Sequence, residues 1–235
     1  MRALSQLEFY APDQERDSDG RFGSGTTTVD PAEAFTQGAS ERHWENVTGA
    51  PAFRQALDSG LLADHKDAVL GYTNNDYSMI NDELRGFGHG SPYALRQIEL
   101  LDKVAAGTTL PEATIVLRGF AADPETLNDL KQGSIYHDNA FASTTLAAGQ
   151  AKDFAVDNLD GCHGCEPVIL AMHLPEGTHG FPGDSLEREW VLPRGSRFEV
   201  ESHEVTQTVG KWSGTFTFHL VTARYIPPTR TSITL

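Results

Sequence analysis

Near residue 107 the spacing of apolar residues changes, and this limits the chain to a mixed fold with helices first and strands afterwards. From about residue 45 to 106, apolar side chains recur at intervals of three and four, as in Leu95, Ile98, Leu101 or Leu100, and Val104, which predicts helices. Ser91 followed by Pro92 marks one helix start: the hydroxyl can cap a free amide, and proline at the first helical position sacrifices no hydrogen bond. That helix is expected to end near Gly107. Beyond it the period becomes two. Residues 114–118, 141–145, 168–174, 190–192, 197–200 and 215–225 read as strands, the last alternating Phe216, Phe218 and Leu220 with Thr217 and His219. One helix is expected among the strands, around residues 147–156. The fold class is therefore α+β, without internal repeat, coiled-coil pattern or transmembrane run.

Residues 1–40 are rich in Asp, Gly, Ser and Thr and hold few large apolar side chains after Tyr10. They are expected to form a flexible, linker-like tail, with residues 41–235 as the folded domain. Within the tail, the phrase from Arg16 to Gly25 resembles a short linker found in tailed-phage head and portal proteins, so association with a phage particle is one expected setting. No apolar run approaches the ~18 residues that span a bilayer, and Met1 to Glu8 lack the apolar stretch of a secretory signal. Folding in a cytoplasm is the expectation, with a virion-borne or otherwise exported effector as the alternative; no membrane partner is expected. The 33 acidic against 18 basic residues give a formal charge of −15. Such a charge repels polyphosphate backbones and argues against general nucleic-acid binding, while leaving room for a local basic pocket. Cys162 and Cys165 flank His163 in a glycine-rich turn with no second ligand pair at zinc spacing. The turn reads first as an ordinary loop, then as a disulfide or a partial metal site.

Common signatures of nucleotide binding and hydrolysis are missing. There is no GxGxxG turn, no GxxxxGK[ST] loop, no HExxH and no GxSxG. Three short features remain: Arg118-Gly119 at a strand end, Ser143-Thr144-Thr145 on a strand, and Glu187-Arg188-Glu189 leading into Trp190-Val191-Leu192-Pro193-Arg194-Gly195. Each alone reads more simply as the wet face or edge of a sheet. In this order, however, they resemble the Arg, Ser-Thr-Ser and Glu-x-Glu signature of the arginine-specific mono-ADP-ribosyltransferases. Tyr72-Thr73, Tyr77, Ile80-Asn81 and Leu84-Arg85 resemble that family's helical phrase before its catalytic strands, and the likeness runs from about residue 65 to 225. Thr145 replaces the last serine of the signature but keeps a hydroxyl. The resemblance implies a helical N-terminal part followed by two packed, mainly antiparallel sheets that form a cleft for NAD.

It also implies roles. Cleaving the nicotinamide–ribose bond builds positive charge on the ribose, and a carboxylate beside it stabilises that transition state; Glu189 is given this task. Glu187 is given the incoming guanidinium of a target protein and help in removing its proton. If the strand is regular there, residues two apart share a face and both carboxylates reach one substrate. The loop reading of Pro182-Gly183-Asp184-Ser185 stands against that regularity. Arg118 is expected to hold NAD through charge-assisted bonds. Gly119 would let nicotinamide approach the backbone, and Ser143 would orient Glu189. Thr145 would support the same wall. Phe154 either stacks near nicotinamide or fills a helix core. Residues 157–166 are expected to form a loop over the NAD, and no metal is required. The alternatives are an NAD glycohydrolase, transfer to a nucleic acid, and a phage particle module that uses the domain for attachment.

Overall fold

The computed structural model describes residues 63–183, 187–209 and 215–227. The tail reading of residues 1–40 therefore lies outside the described residues, as does the helical reading before residue 63.

Three helices open the described part: α1 (Ala63–Gly71), α2 (Tyr77–Arg85) and α3 (Pro92–Gly107). A π-helical turn, Tyr72–Asp76, joins the first two and points Tyr72 inward, where it is 1% exposed. Helix α3 begins as its sequence predicts: Ser91 Oγ accepts the Ala94 amide at 3.4 Å, and Pro92 occupies the first turn. It buries Ile98, Leu101 and Val104 in a cluster with Tyr72, Ile80, Phe141, Phe181 and Val191, which joins the helices to the sheet.

Eight strands follow: β1 (Thr114–Ala122), β2 (Ile135–His137), β3 (Ala142–Thr145), β4 (Glu166–Leu174), β5 (Phe181–Pro182), β6 (Glu189–Leu192), β7 (Arg197–Val209) and β8 (Thr215–Ile226). Helix α4 (Pro124–Asp129) precedes β2, and α5 (Ala148–Asp157) lies between β3 and β4, within a residue of its predicted span. Hydrogen bonding links the strands in the order β2-β7-β8-β4-β1-β3-β6-β5. Among the described residues, only the β4–β8 pairing is parallel.

The two expected sheets are one eight-stranded sheet, whose two groups of strands, β2-β7-β8-β4-β1 and β3-β6-β5, are joined at one position, Leu117 with Thr145. Their inner faces share one buried cluster, with Ala142, Trp190 and Leu192 from one group and Val168, Leu170, Phe198 and Val221 from the other. On the outer face of the larger group, α5 packs Ala151 and Ala155 against Leu117, Ile169 and Phe218. Gly119 makes this approach possible, because a Cβ there would collide with the Ala151 carbonyl. Strand β8 is covered on both faces, which buries His219 as well as Phe218.

Candidate active site

The cleft begins where a ladder stops. Continued pairing beyond Leu117 and Thr145 would set Arg118 opposite Thr144 and Gly119 opposite Ser143, but the register holds only the first pair. The register lapses there, which sets Arg118-Gly119 and Ser143 on the two sides of the unpaired stretch. The surface reading of the Ser-Thr-Thr run fails: Thr144 and Thr145 are each 3% exposed, and Thr144 Oγ1 donates to the Trp190 carbonyl at 2.6 Å. The solvated reading of Arg118 fails too, since its side chain is 16% exposed.

The acidic pair departs from the simplest expectation. Strand β6 starts at Glu189, while Glu187 and Arg188 form a turn with Arg188 in the left-handed region at φ 52°. Strand alternation therefore does not place the two carboxylates on one face. A left-handed non-glycine residue costs about 1–2 kcal/mol, so neighbouring contacts must hold the turn. Thr145 Oγ1 donates to the Glu187 carbonyl at 2.5 Å and accepts the Ala147 amide at 2.9 Å, and the Leu146 amide donates to the Arg188 carbonyl at 3.2 Å. The hydroxyl at the third position of the signature thus anchors the turn that carries Glu187.

Glu189 is 6% exposed, paired across the ladder with Thr145. Gly183 donates its amide to the Glu189 carbonyl at 3.0 Å, and a Cβ on Gly183 would collide with the Glu189 carboxylate. Of the loop expected at 182–185, Pro182 belongs to β5, and Asp184 and Ser185 lie outside the described residues.

Tyr72 closes the inner end. Its hydroxyl accepts a hydrogen bond from Asn81 Nδ2 at 3.2 Å, donates to the Phe141 carbonyl at 3.4 Å, and lies 3.4 Å from Ser143 Oγ. Burial raises its phenol pKa above the ordinary value; Ser143, Asn81 and the charge of Arg118 oppose that shift, and Glu189 adds to it. The phenol accordingly stays protonated, within electrostatic reach of both Arg118 and Glu189.

The basic side is an ion-pair cluster that the sequence did not announce. Arg118 Nη2 donates to Asp138 Oδ2 at 3.1 Å, while Arg85 donates from Nε to Oδ1 at 3.2 Å and from Nη2 to Oδ2 at 2.7 Å. Burial pushes the Asp138 carboxyl up, but Arg118, Arg85 and the Ala140 amide outweigh it and hold it below the usual range. Arg118 Nη1 and Asn81 Oδ1 are buried without a hydrogen-bond partner among the described residues. One orphan donor and one orphan acceptor beside a cleft fit an anionic, hydroxyl-bearing ligand such as a dinucleotide. Arg85, Asn81 and Tyr72 were visible only within a resembling phrase, Gly183 only within the loop reading of residues 182–185, and Asp138 carried no sequence signal at all.

Three further expectations resolve differently. The Cβ direction of Gly119 is taken by α5, so helix packing already requires the glycine. Phe154 is half-buried and absent from the apolar cluster beneath its helix, which uses Ala151 and Ala155. Cys162 and Cys165 form a disulfide, so the ordinary-loop reading gives way to a covalently closed turn, with Gly161 and Gly164 at positive φ. Among the described residues, no group of three or more His, Cys, Asp or Glu side chains could hold a metal ion, and no helix is long and apolar enough to cross a membrane.

Solved structures share this architecture. Plx2a, an ADP-ribosyltransferase toxin from Paenibacillus larvae, aligns with a TM-score of 0.61 at 21% identity over 80% of this chain and 96% of its own. The ADP-ribosyltransferase Vis of Vibrio splendidus, in a complex with agmatine, aligns at 0.63 and 20% identity over 87% and 89%. C3stau2 from S. aureus, solved with NAD, aligns at 0.55 and 18% over 81% and 97%. No curated protein matches the sequence. Residues 49–223 match the family described as ADP-ribosyltransferase exoenzyme, with the signature strands and the cleft inside the matched span. The chain belongs to the ADP-ribosyltransferase exoenzyme family.

Proposed function

We propose that this ADP-ribosyltransferase, whose co-substrate is NAD, delivers ADP-ribose to an arginine side chain of a target protein. The observation that carries the proposal is the gradient of burial across the acidic pair: Glu189 is buried at the head of β6, and Glu187 sits half-exposed on the turn before it. The inner carboxylate suits the ribose and the outer one suits a group arriving from solvent. The agmatine bound to Vis, a guanidinium compound, is consistent with a guanidinium acceptor here.

In this reading Arg118 holds the diphosphate or ribose oxygens of NAD, and Asn81 and Arg85 contribute from the helical side. Glu189 opposes the positive charge that grows on the ribose as nicotinamide leaves with the bonding electrons. The guanidinium nitrogen then bonds to the ribose carbon and gives up a proton, for which Glu187 is the acceptor. Ser143 and Thr145 position the two carboxylates, Gly119 offers its backbone to the nicotinamide amide, and Phe154 flanks the ring from α5. Residues 41–235 would form the catalytic domain and 1–40 a tail that carries it, either as an exported effector or within a phage particle.

Labelled NAD incubated with host lysate tests this. Glu189→Ala should lower labelling by about 10²–10³-fold. Glu187→Ala should abolish label on arginine, located by mass spectrometry, yet leave some hydrolysis of NAD. Full transfer by Glu187→Ala would refute the arginine assignment. Free ADP-ribose without protein label would point to a glycohydrolase, and nuclease-sensitive label to a nucleic-acid acceptor.

A further inference from the structure

Asp138 lies in the turn after β2, with its side chain 10% exposed. Two backbone amides fix it: Ala140 donates to Oδ1 at 3.0 Å, and Gly195 donates to the Asp138 carbonyl at 2.9 Å. It in turn fixes two arginines from separate parts of the molecule, Arg85 at the end of α2 and Arg118 on β1, both of which bond the same oxygen, Oδ2. Two guanidinium groups that close repel one another unless a negative charge stands between them. The shared carboxylate supplies that charge and uses only some of their N–H groups. Arg118 keeps Nη1 buried without a partner among the described residues, and Arg85 binds Asp138 through Nε and Nη2 alone.

We propose that Asp138 is a positioning residue for NAD, holding Arg85 and Arg118 side by side so that their remaining N–H groups act together on its diphosphate. The inference rests on reading the cleft as the NAD site. The trio carries a net charge of +1, from two arginines and one carboxylate, so it attracts a diphosphate and still keeps each guanidinium in place before the ligand arrives. Preorganisation of this kind favours binding because less side-chain freedom is lost on association.

A plain structural staple between the helical part and the sheet would use the same contacts, so the test separates the two. Calorimetry with NAD and with ADP, alongside steady-state hydrolysis of NAD, is run on wild type, Asp138→Asn and Asp138→Glu. In the asparagine variant the amide nitrogen donates where an acceptor is needed, and one arginine is released. The expected result is a Kd for NAD and for ADP raised about ten- to a hundredfold, the span of a charge-assisted hydrogen bond, with kcat within about threefold of wild type. Asp138→Glu keeps the charge and should recover most of the affinity. A folded Asp138→Asn that binds NAD and ADP as wild type does would overturn the inference and leave the NAD reading standing. Should the asparagine variant fail to fold, Arg85→Gln takes one arginine out of the trio instead, and a folded Arg85→Gln that binds NAD and ADP as wild type does overturns the inference equally. Wild type that binds neither ligand would remove the NAD reading itself.

Discussion

The two walls of the cleft are built by different forces. On the acidic wall, Glu189 stands at the head of a strand whose next residues, Trp190, Val191 and Leu192, are all buried, and its carboxylate rests against Gly183. Its place is set by backbone pairing and close packing. On the basic wall, Arg118 and Arg85 are long side chains whose direction is set by one carboxylate. Packing errors are expressed as displaced atoms, whereas ion-pair errors are expressed as lost orientation. The first should appear in kcat and the second in KM.

The largest effect should come from the packed wall. Gly183→Ala thrusts a methyl group into the Glu189 carboxylate, and a displacement near 1 Å costs about a hundredfold in rate. The expectation is a fall of about that size in kcat for NAD hydrolysis, with Kd for ADP little changed; a variant impaired in ADP binding instead would break the division. On the other wall, Arg118→Lys retains charge but loses the planar fork, so KM for NAD should rise about tenfold and more steeply in added salt, at nearly constant kcat. Between the two lies Thr145. Thr145→Val removes a hydroxyl that bonds the Glu187 carbonyl and so should weaken that turn by about 1 kcal/mol. Transfer to arginine should then fall more than hydrolysis does, and an equal fall in both would detach Thr145 from Glu187.

The smallest effect lies away from both walls. His203 donates from Nδ1 to the Leu130 carbonyl at 3.0 Å, and its Nε2 lies 2.7 Å from His219 Nδ1. Burial, followed by the neighbouring His219, lowers its pKa in the folded protein. The unfolded chain therefore binds the proton first as pH falls. This contribution to stability is complete above the unfolded value of about 6.5 and is lost as pH falls through the folded value. His203→Gln should flatten that part of the urea-midpoint profile, and an unchanged slope would assign it elsewhere.

Periodicity made most of the fold legible, because long elements repeat their pattern often enough to be read. The span of α3, its Ser91 cap and the positions of β4 and β8 follow directly. Strands β2 and β5 do not, since three and two residues cannot display a period. Strand β7 was expected to stop at Val200 but runs to Val209: a register shift between Val200 and Ser202 breaks the alternation there, and a polar stretch continues the ladder with β8. At the site, residue types were legible and geometry was not. Glu187 and Glu189 stand two apart, but the left-handed Arg188 cancels the strand rule. The Asp138 cluster unites residues 53 and 20 positions apart, and only the folded chain brings them together.

The single Leu117–Thr145 joint has a consequence for how the molecule responds to its ligand. A binding site made by unzipping two neighbouring strands differs from one hollowed out of a core, because its opposite banks belong to separate layers that meet along one seam. Whatever lodges between Arg118 and Ser143 ties those layers to each other. On the proposed site, occupancy and the cohesion of the two strand groups would then be a single equilibrium, and bound NAD would act as a stitch across the seam.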